Sequence, residues 1–169
     1  MLLGQVVTLI GVGIASLGAL LFVPPSPQPA FLSRMRRLAS EAVEFAISRL
    51  GQQDNESCRR QARALIHEMA SLEQAMVVNT AGKASGKRRI HHFNAFVGAA
   101  LEVMASSQAL ASQQRRLQQT VPAELPRALN TLVAYLRQPE ATPAGRNILE
   151  SLLATVRPLD TRLATALED

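Results

Sequence analysis

The chain has no tryptophan, one tyrosine (Tyr135) and one cysteine (Cys58) in 169 residues. One cysteine excludes an intramolecular disulfide and suits a reducing compartment. Aromatics are scarce and β-branched runs few, so nothing reads as a strand. Charge is missing altogether from the first 33 positions, and Arg34 is the first ionisable side chain. Beyond that point Ala, Leu, Gln, Arg and Glu predominate, which is helix-forming composition. The net charge is +5 and the isoelectric point about 10.6. Next to a long apolar run, an anionic membrane surface accounts for that balance more simply than nucleic acid does.

Residues 2–23, LLGQVVTLIGVGIASLGALLFV, hold neither a charge nor a proline. As a helix they would be roughly 33 Å long, enough to cross a hydrocarbon core of about 30 Å. A secretory signal would put basic residues ahead of a shorter run and close it with a small-residue cleavage site. Neither feature is here, so the run reads as a transmembrane helix that is kept. Gly4, Thr8, Gly11, Ala15 and Gly18 recur at helical spacing and put small side chains on one face. Small residues let helix backbones approach in lipid, where the hydrophobic effect adds little, so this face predicts a helix partner. That partner would be a second copy, a neighbouring subunit or another membrane helix. Arg34, Arg36 and Arg37 follow the run and place its C-terminal side in the cytoplasm.

Residues 24–29, PPSPQP, end the run, since each proline removes a donor and restricts the residue before it. They read as a stiff connector. Residues 30–169 read as an α-helical domain. A first amphipathic helix is predicted over 30–50, with Phe31, Met35, Leu38, Ala42 and Phe45 on its apolar stripe and Gly51 at its end. Asp54 or Asn55 opens a second, reaching about residue 78 through Ala62, Leu65, Met69, Leu72 and Met76. Residues 79–87 read as a glycine-containing loop. A third helix over 89–119 carries Phe93, Phe96, Ala100, Val103, Ser107 and Leu110, with Val97, Leu101 and Met104 beside them. Its end, from Ser112 onward, is polar enough to project. A short fourth helix buries Leu125, Leu129, Leu132 and Leu136, with Pro126 in its first turn. Thr142 and Pro143 open a last helix, which Pro158 interrupts. The fold expected is all-α: one N-terminal transmembrane helix followed by a cytoplasmic helical bundle.

Sites for chemistry are scarce. Lys83 lies between Gly82 and Gly86 in a stretch that resembles a phosphate loop. The glycine spacing is one residue short, and Arg88 stands where Ser or Thr is required. His91 and His92 are neighbours and diverge by about 100° on a helix. A metal site would need them to converge with His67 and Cys58 from other helices, so no metal or cofactor is expected. Glu41, Glu44, Glu68, Glu73 and Glu102 read as solvated faces, and no nucleophile stands beside a base. The chain is expected not to be an enzyme. Arg34, Arg36, Arg37, Lys83, Lys87, Arg88 and Arg89 are the candidates for contact with anionic lipid or an acidic partner.

The order of these segments carries a resemblance. A glycine-rich apolar helix ends in prolines and passes into FLSRMRRL (31–38). LIHEMASLE (65–73) follows, and then a basic turn leads into RRIHHFNAF (88–96). This layout resembles the fusaric acid resistance (FUSC, aromatic acid exporter) family of bacterial inner-membrane proteins. The resemblance implies alternating blocks of membrane helices and cytoplasmic helical domains. This chain would supply the last helix of one block and the domain after it, as part of an efflux transporter. One helix alone encloses no substrate path. The other reading is a single-pass anchored module whose bundle binds a protein or an anionic lipid.

Overall fold

The computed structural model describes residues 13, 29–51, 55–80, 86–117 and 123–137. All the regular structure among the described residues is helical: α1 (Pro29–Leu50), α2 (Asn55–Thr80), α3 (Gly86–Leu117) and α4 (Glu124–Leu136). Proline suits the first position of α1, because its missing N–H would have had no intrahelical acceptor. The helix closes at Gly51, whose amide donates to the Ile47 carbonyl at 2.9 Å. Pro126 is the third residue of α4, again where a missing donor costs little.

Apolar spacing decides which faces turn inward. On α1, Met35, Leu38, Ala42, Phe45 and Leu50 are buried, joined by Ala39, Val43 and Ala46. On α2 the buried set is Cys58, Leu65, Met69, Leu72 and Met76, with Ala62 packed partly against it. Phe93, Phe96, Ala100, Val103, Ser107 and Leu110 of α3 are buried as the spacing predicts. So are Leu125, Leu129, Leu132 and Leu136 of α4.

α1 is the hub. It touches each of the other three helices, α2 and α3 touch each other, and α4 touches α1 alone among the described helices. The direction of each helix follows from contacts at the two ends. Phe31 and Phe93, near the starts of α1 and α3, lie 6.0 Å apart between ring centroids. Arg49 and Arg115, near the ends of the same helices, both reach the Asn55 side chain at the start of α2. So α1 and α3 run parallel, with α2 antiparallel to both.

Four expectations are corrected. Residues 79, 80, 86 and 87 belong to helices rather than to a loop, so α2 ends later and α3 begins earlier than their polarity suggested. The end of α3 does not project: Ala111 and Gln114 are 2% and 3% exposed, which holds this turn in the bundle. Leu101, expected beside the apolar face, is 41% exposed. Glu44 and Glu68 are ion-paired rather than simply solvated.

The apolar run 2–23 lies outside the described residues except for Gly13, and so do the small-residue face, Lys83 and the last helix. Gly13 is helical and buried. A Cβ there would sit 2.8 Å from Val103 Cγ2 and 3.5 Å from the Ala99 carbonyl oxygen, so its backbone lies directly on α3. Among the described residues, the helix long and apolar enough to cross a membrane is Ile90–Arg116, within α3, and half of its apolar window is buried in the bundle. The core helix of a water-facing bundle meets the same criterion of length and composition.

Candidate functional site

The clearest electrostatic feature is a guanidinium pair closed on one carboxylate. Arg34 and Arg37 are a turn apart on α1 and so share a face. Glu68 on α2 meets that face. Arg34 Nη2 and Nε donate to Glu68 Oε1 at 2.9 and 3.3 Å, and Arg37 Nη2 donates to the same oxygen at 3.0 Å. Arg37 also lies 3.5 Å from Glu41 along its own helix. The hydrogen bond from Arg34 is the main cause that holds the Glu68 carboxyl below its ordinary pKa. Both guanidinium charges add to it, and partial burial opposes them.

The sign for stability follows. A carboxylate with a depressed folded pKa contributes stability above its unfolded pKa and loses it as pH falls through the folded value. Glu68→Gln should therefore cost roughly 1 kcal/mol near neutrality, since both arginines are partly solvated and screened. The difference between the two proteins should shrink as pH drops below the usual carboxylate range. Urea denaturation of both at neutral and acidic pH checks this; a gap that persists in acid would mean the pair contributes nothing through charge.

Two further locks tie the bundle. Arg137, just past α4, pairs with Glu44 on α1. At the far end Asn55 Oδ1 accepts from Arg49 Nη1 at 3.0 Å and from Arg115 Nη2 at 3.5 Å. Arg49 Nε, Gln113 Oε1 and Gln114 Oε1 are buried there without partners.

The structure thus separates the basic residues singled out from the sequence. Arg34 and Arg37 are engaged by Glu68. Arg36 lies between them on α1. Lys87, Arg88 and Arg89 occupy the first turn of α3, at the end of the bundle where α1 begins and α2 finishes. Glu68, Glu44 and Gly13 are the residues that sequence reasoning missed. The helical phase of Glu68, facing two arginines of a neighbouring helix, shows only once the helices are paired. Among the described residues no three His, Cys, Asp or Glu side chains gather as a metal site would require.

Amphipathic helices around a hub and cross-helix arginine locks define an all-α bundle. The chain belongs to the fusaric acid resistance protein family, which matches residues 6–169. That family is one of membrane-integral proteins linked to efflux. Neither the curated proteins nor the solved structures yielded a match.

Proposed function

We propose that this chain is part of an inner-membrane efflux transporter, contributing one membrane helix, residues 2–23, and a cytoplasmic helical domain over 30–169. It works alongside other membrane helices and carries out no catalysis of its own. Family membership over residues 6–169 carries the reading, joined to an N-terminal run with no charge before Arg34. The outer face of α2 supports an aqueous bundle: Arg59, Arg60, Arg63 and Glu73 are exposed there, and lipid accepts such charges only at high cost.

Gly13 makes this reading testable. It stands near the middle of the run, so a spanning helix would carry it to about the bilayer midplane, roughly 17 Å from either end of the run. In the structure the Gly13 backbone is seated on Val103 beside α3, so a run that spans alone, with α3 in the cytoplasm, has to leave that seat. The two placements exclude each other. Replacing Gly13 and Val103 with cysteine removes the crowding methyl and puts two thiols at the contact. In native membranes the spanning helix predicts no crosslink on oxidation, and a cytoplasm-active reporter fused after Asp169 should give signal. Efficient crosslinking in membranes, or signal only from a periplasm-active reporter, would overturn the assignment.

A further inference from the structure

The last turns of α1 and α3 meet the first turn of α2 at Asn55, whose side chain takes Arg49 and Arg115. Asn55 is neutral, so both guanidinium charges stay uncancelled. Arg59, Arg60 and Arg63 follow on α2 and Arg116 on α3, and all of them, like Arg115, are exposed. Arg63 has Glu56 at 3.5 Å. Arg59, Arg60 and Arg116 have no ion pair among the described residues. Even with Asp54 and Glu124, which stand within a few residues of these helix ends, six arginines meet three carboxylates. The negative poles of α1 and α3 account for Arg49, Arg115 and Arg116. They do not account for Arg59 and Arg60, which lie nearer the positive pole of α2.

Exposed apolar surface continues the same side. Glu68 marks the flank of α2 that faces α1, and Ile66 lies about 160° round the helix from it, on the flank toward α3. Ile66 is 52% exposed. Arg59, two turns earlier, falls within about 20° of the same line. On α3, Leu101 is 41% exposed and lies within about 40° of Arg115, which reaches α2. The two helices run antiparallel. Eleven residues along α2 from Asn55, and as many back along α3 from Arg115, bring Ile66 level with Met104, one turn from Leu101. Glu73, two turns past Ile66 and on its face, is exposed and closes the stretch with the opposite charge. Val103, where Gly13 sits, is about 160° from Leu101, so this surface is separate from that seat.

We propose that the outer seam of α2 and α3 is a docking surface for an acidic amphipathic helix of a partner protein. Its carboxylates meet Arg59, Arg63 and Arg115, and its apolar face lies on Ile66 and Leu101. Arginine takes carboxylates through a planar fork of donors and is enriched at protein interfaces. A helix laid in a groove uses just such apolar anchors beside charge. A second copy does not complement the surface, since Glu56 and Glu73 are the exposed acidic side chains among the described residues. Nucleic acid would leave Ile66 and Leu101 without a counterpart, and no aromatic side chain is exposed among the described residues to stack on a base. With residues 2–23 in the bilayer, Asn55 lies past the far end of α1, roughly 33 Å from its start, where a cytoplasmic polypeptide reaches it more readily than a headgroup. That last choice rests on the membrane-helix reading; the surface itself does not.

The probe is a labelled helical peptide of about 20 residues, with Leu along one face and Glu beside it at one end. Its control carries Gln for every Glu. The full chain is held in phosphatidylcholine nanodiscs, where no lipid charge competes, and binding is read by fluorescence anisotropy. The Glu peptide should bind roughly tenfold tighter than the Gln peptide, and raised salt should narrow the gap. Arg59→Glu with Arg63→Glu should remove the preference. Ile66→Ser with Leu101→Ser should weaken both peptides. Arg127→Glu, exposed on α4, should change neither.

Equal binding of the two peptides would overturn the proposal, as would an Arg127→Glu effect as large as that of the paired reversal. Slower amide exchange over residues 59–66 in discs with phosphatidylglycerol and no peptide would overturn it in favour of lipid. Displacement of the Glu peptide by a lower concentration of an RNA duplex would overturn it in favour of nucleic acid. The comparison of two peptides on the wild-type chain needs no variant to fold. Failure of the membrane-helix reading shows in the crosslink and the reporter, and leaves the peptide comparison standing.

Discussion

Phe96→Ala should destabilise the bundle by about 3–5 kcal/mol, the range for removing a buried aromatic ring. Phe96 is fully buried on α3. Its ring lies 6.5 Å from that of Phe93, stacked at 26°, and Phe93 in turn meets Phe31 of α1. Truncation removes one end of a run of three aromatic rings across the seam between two parallel helices. The core can relax only partly, because other large members of the same cluster, Leu38, Phe45 and Leu72 among them, are themselves fully buried. A loss in urea denaturation below about 1 kcal/mol would show that the site collapses without a cavity and that the seam is loosely packed.

Much of this core could be read before any coordinates. A helix repeats every 3.6 residues whatever surrounds it, so Leu65, Met69, Leu72 and Met76 had to share a face once α2 was helical. The same rule found Phe93 and Phe96. Its failures are informative. Asn79, Thr80 and Gly86 look like loop residues by local preference, yet they are helical; propensity costs of up to about 1 kcal/mol per residue are overridden by tertiary context, and they are smaller still at helix ends. Gln114 looks solvent-facing by type and is buried by phase.

Gly13 escaped for a different reason. On a helix, positions 11 and 13 point about 160° apart, so the small-residue face drawn through Gly11 excludes it. Glycine frequency cannot say which glycine meets a neighbour. The candidate lipid-contact residues were legible as charge but not as geometry: only the pairing of α1 with α2 shows that Arg34 and Arg37 have a protein counterpart in Glu68.

The fourth helix should be the most separable part of the bundle. It touches α1 alone among the described helices. What fixes it is the row Leu125, Leu129, Leu132 and Leu136, all buried, and the pairing of Arg137 with Glu44. No side-chain cap opens it at Ala123, so its first amides gain nothing from the usual Ser, Thr, Asp or Asn. At 13 residues it is too short to persist alone in water. Leu129→Ala should therefore cost about 2–5 kcal/mol, and the loss should be local. Amide exchange in residues 124–136 should accelerate well before that of α1 to α3, as expected for an element with its own opening free energy. Arg137→Ala should produce the same pattern more weakly, because the ion pair is partly exposed and exposed pairs contribute under about 1 kcal/mol. If Leu129→Ala instead accelerates exchange in all four helices together, α4 belongs to one cooperative unit, and the hub arrangement transmits its packing to the whole bundle.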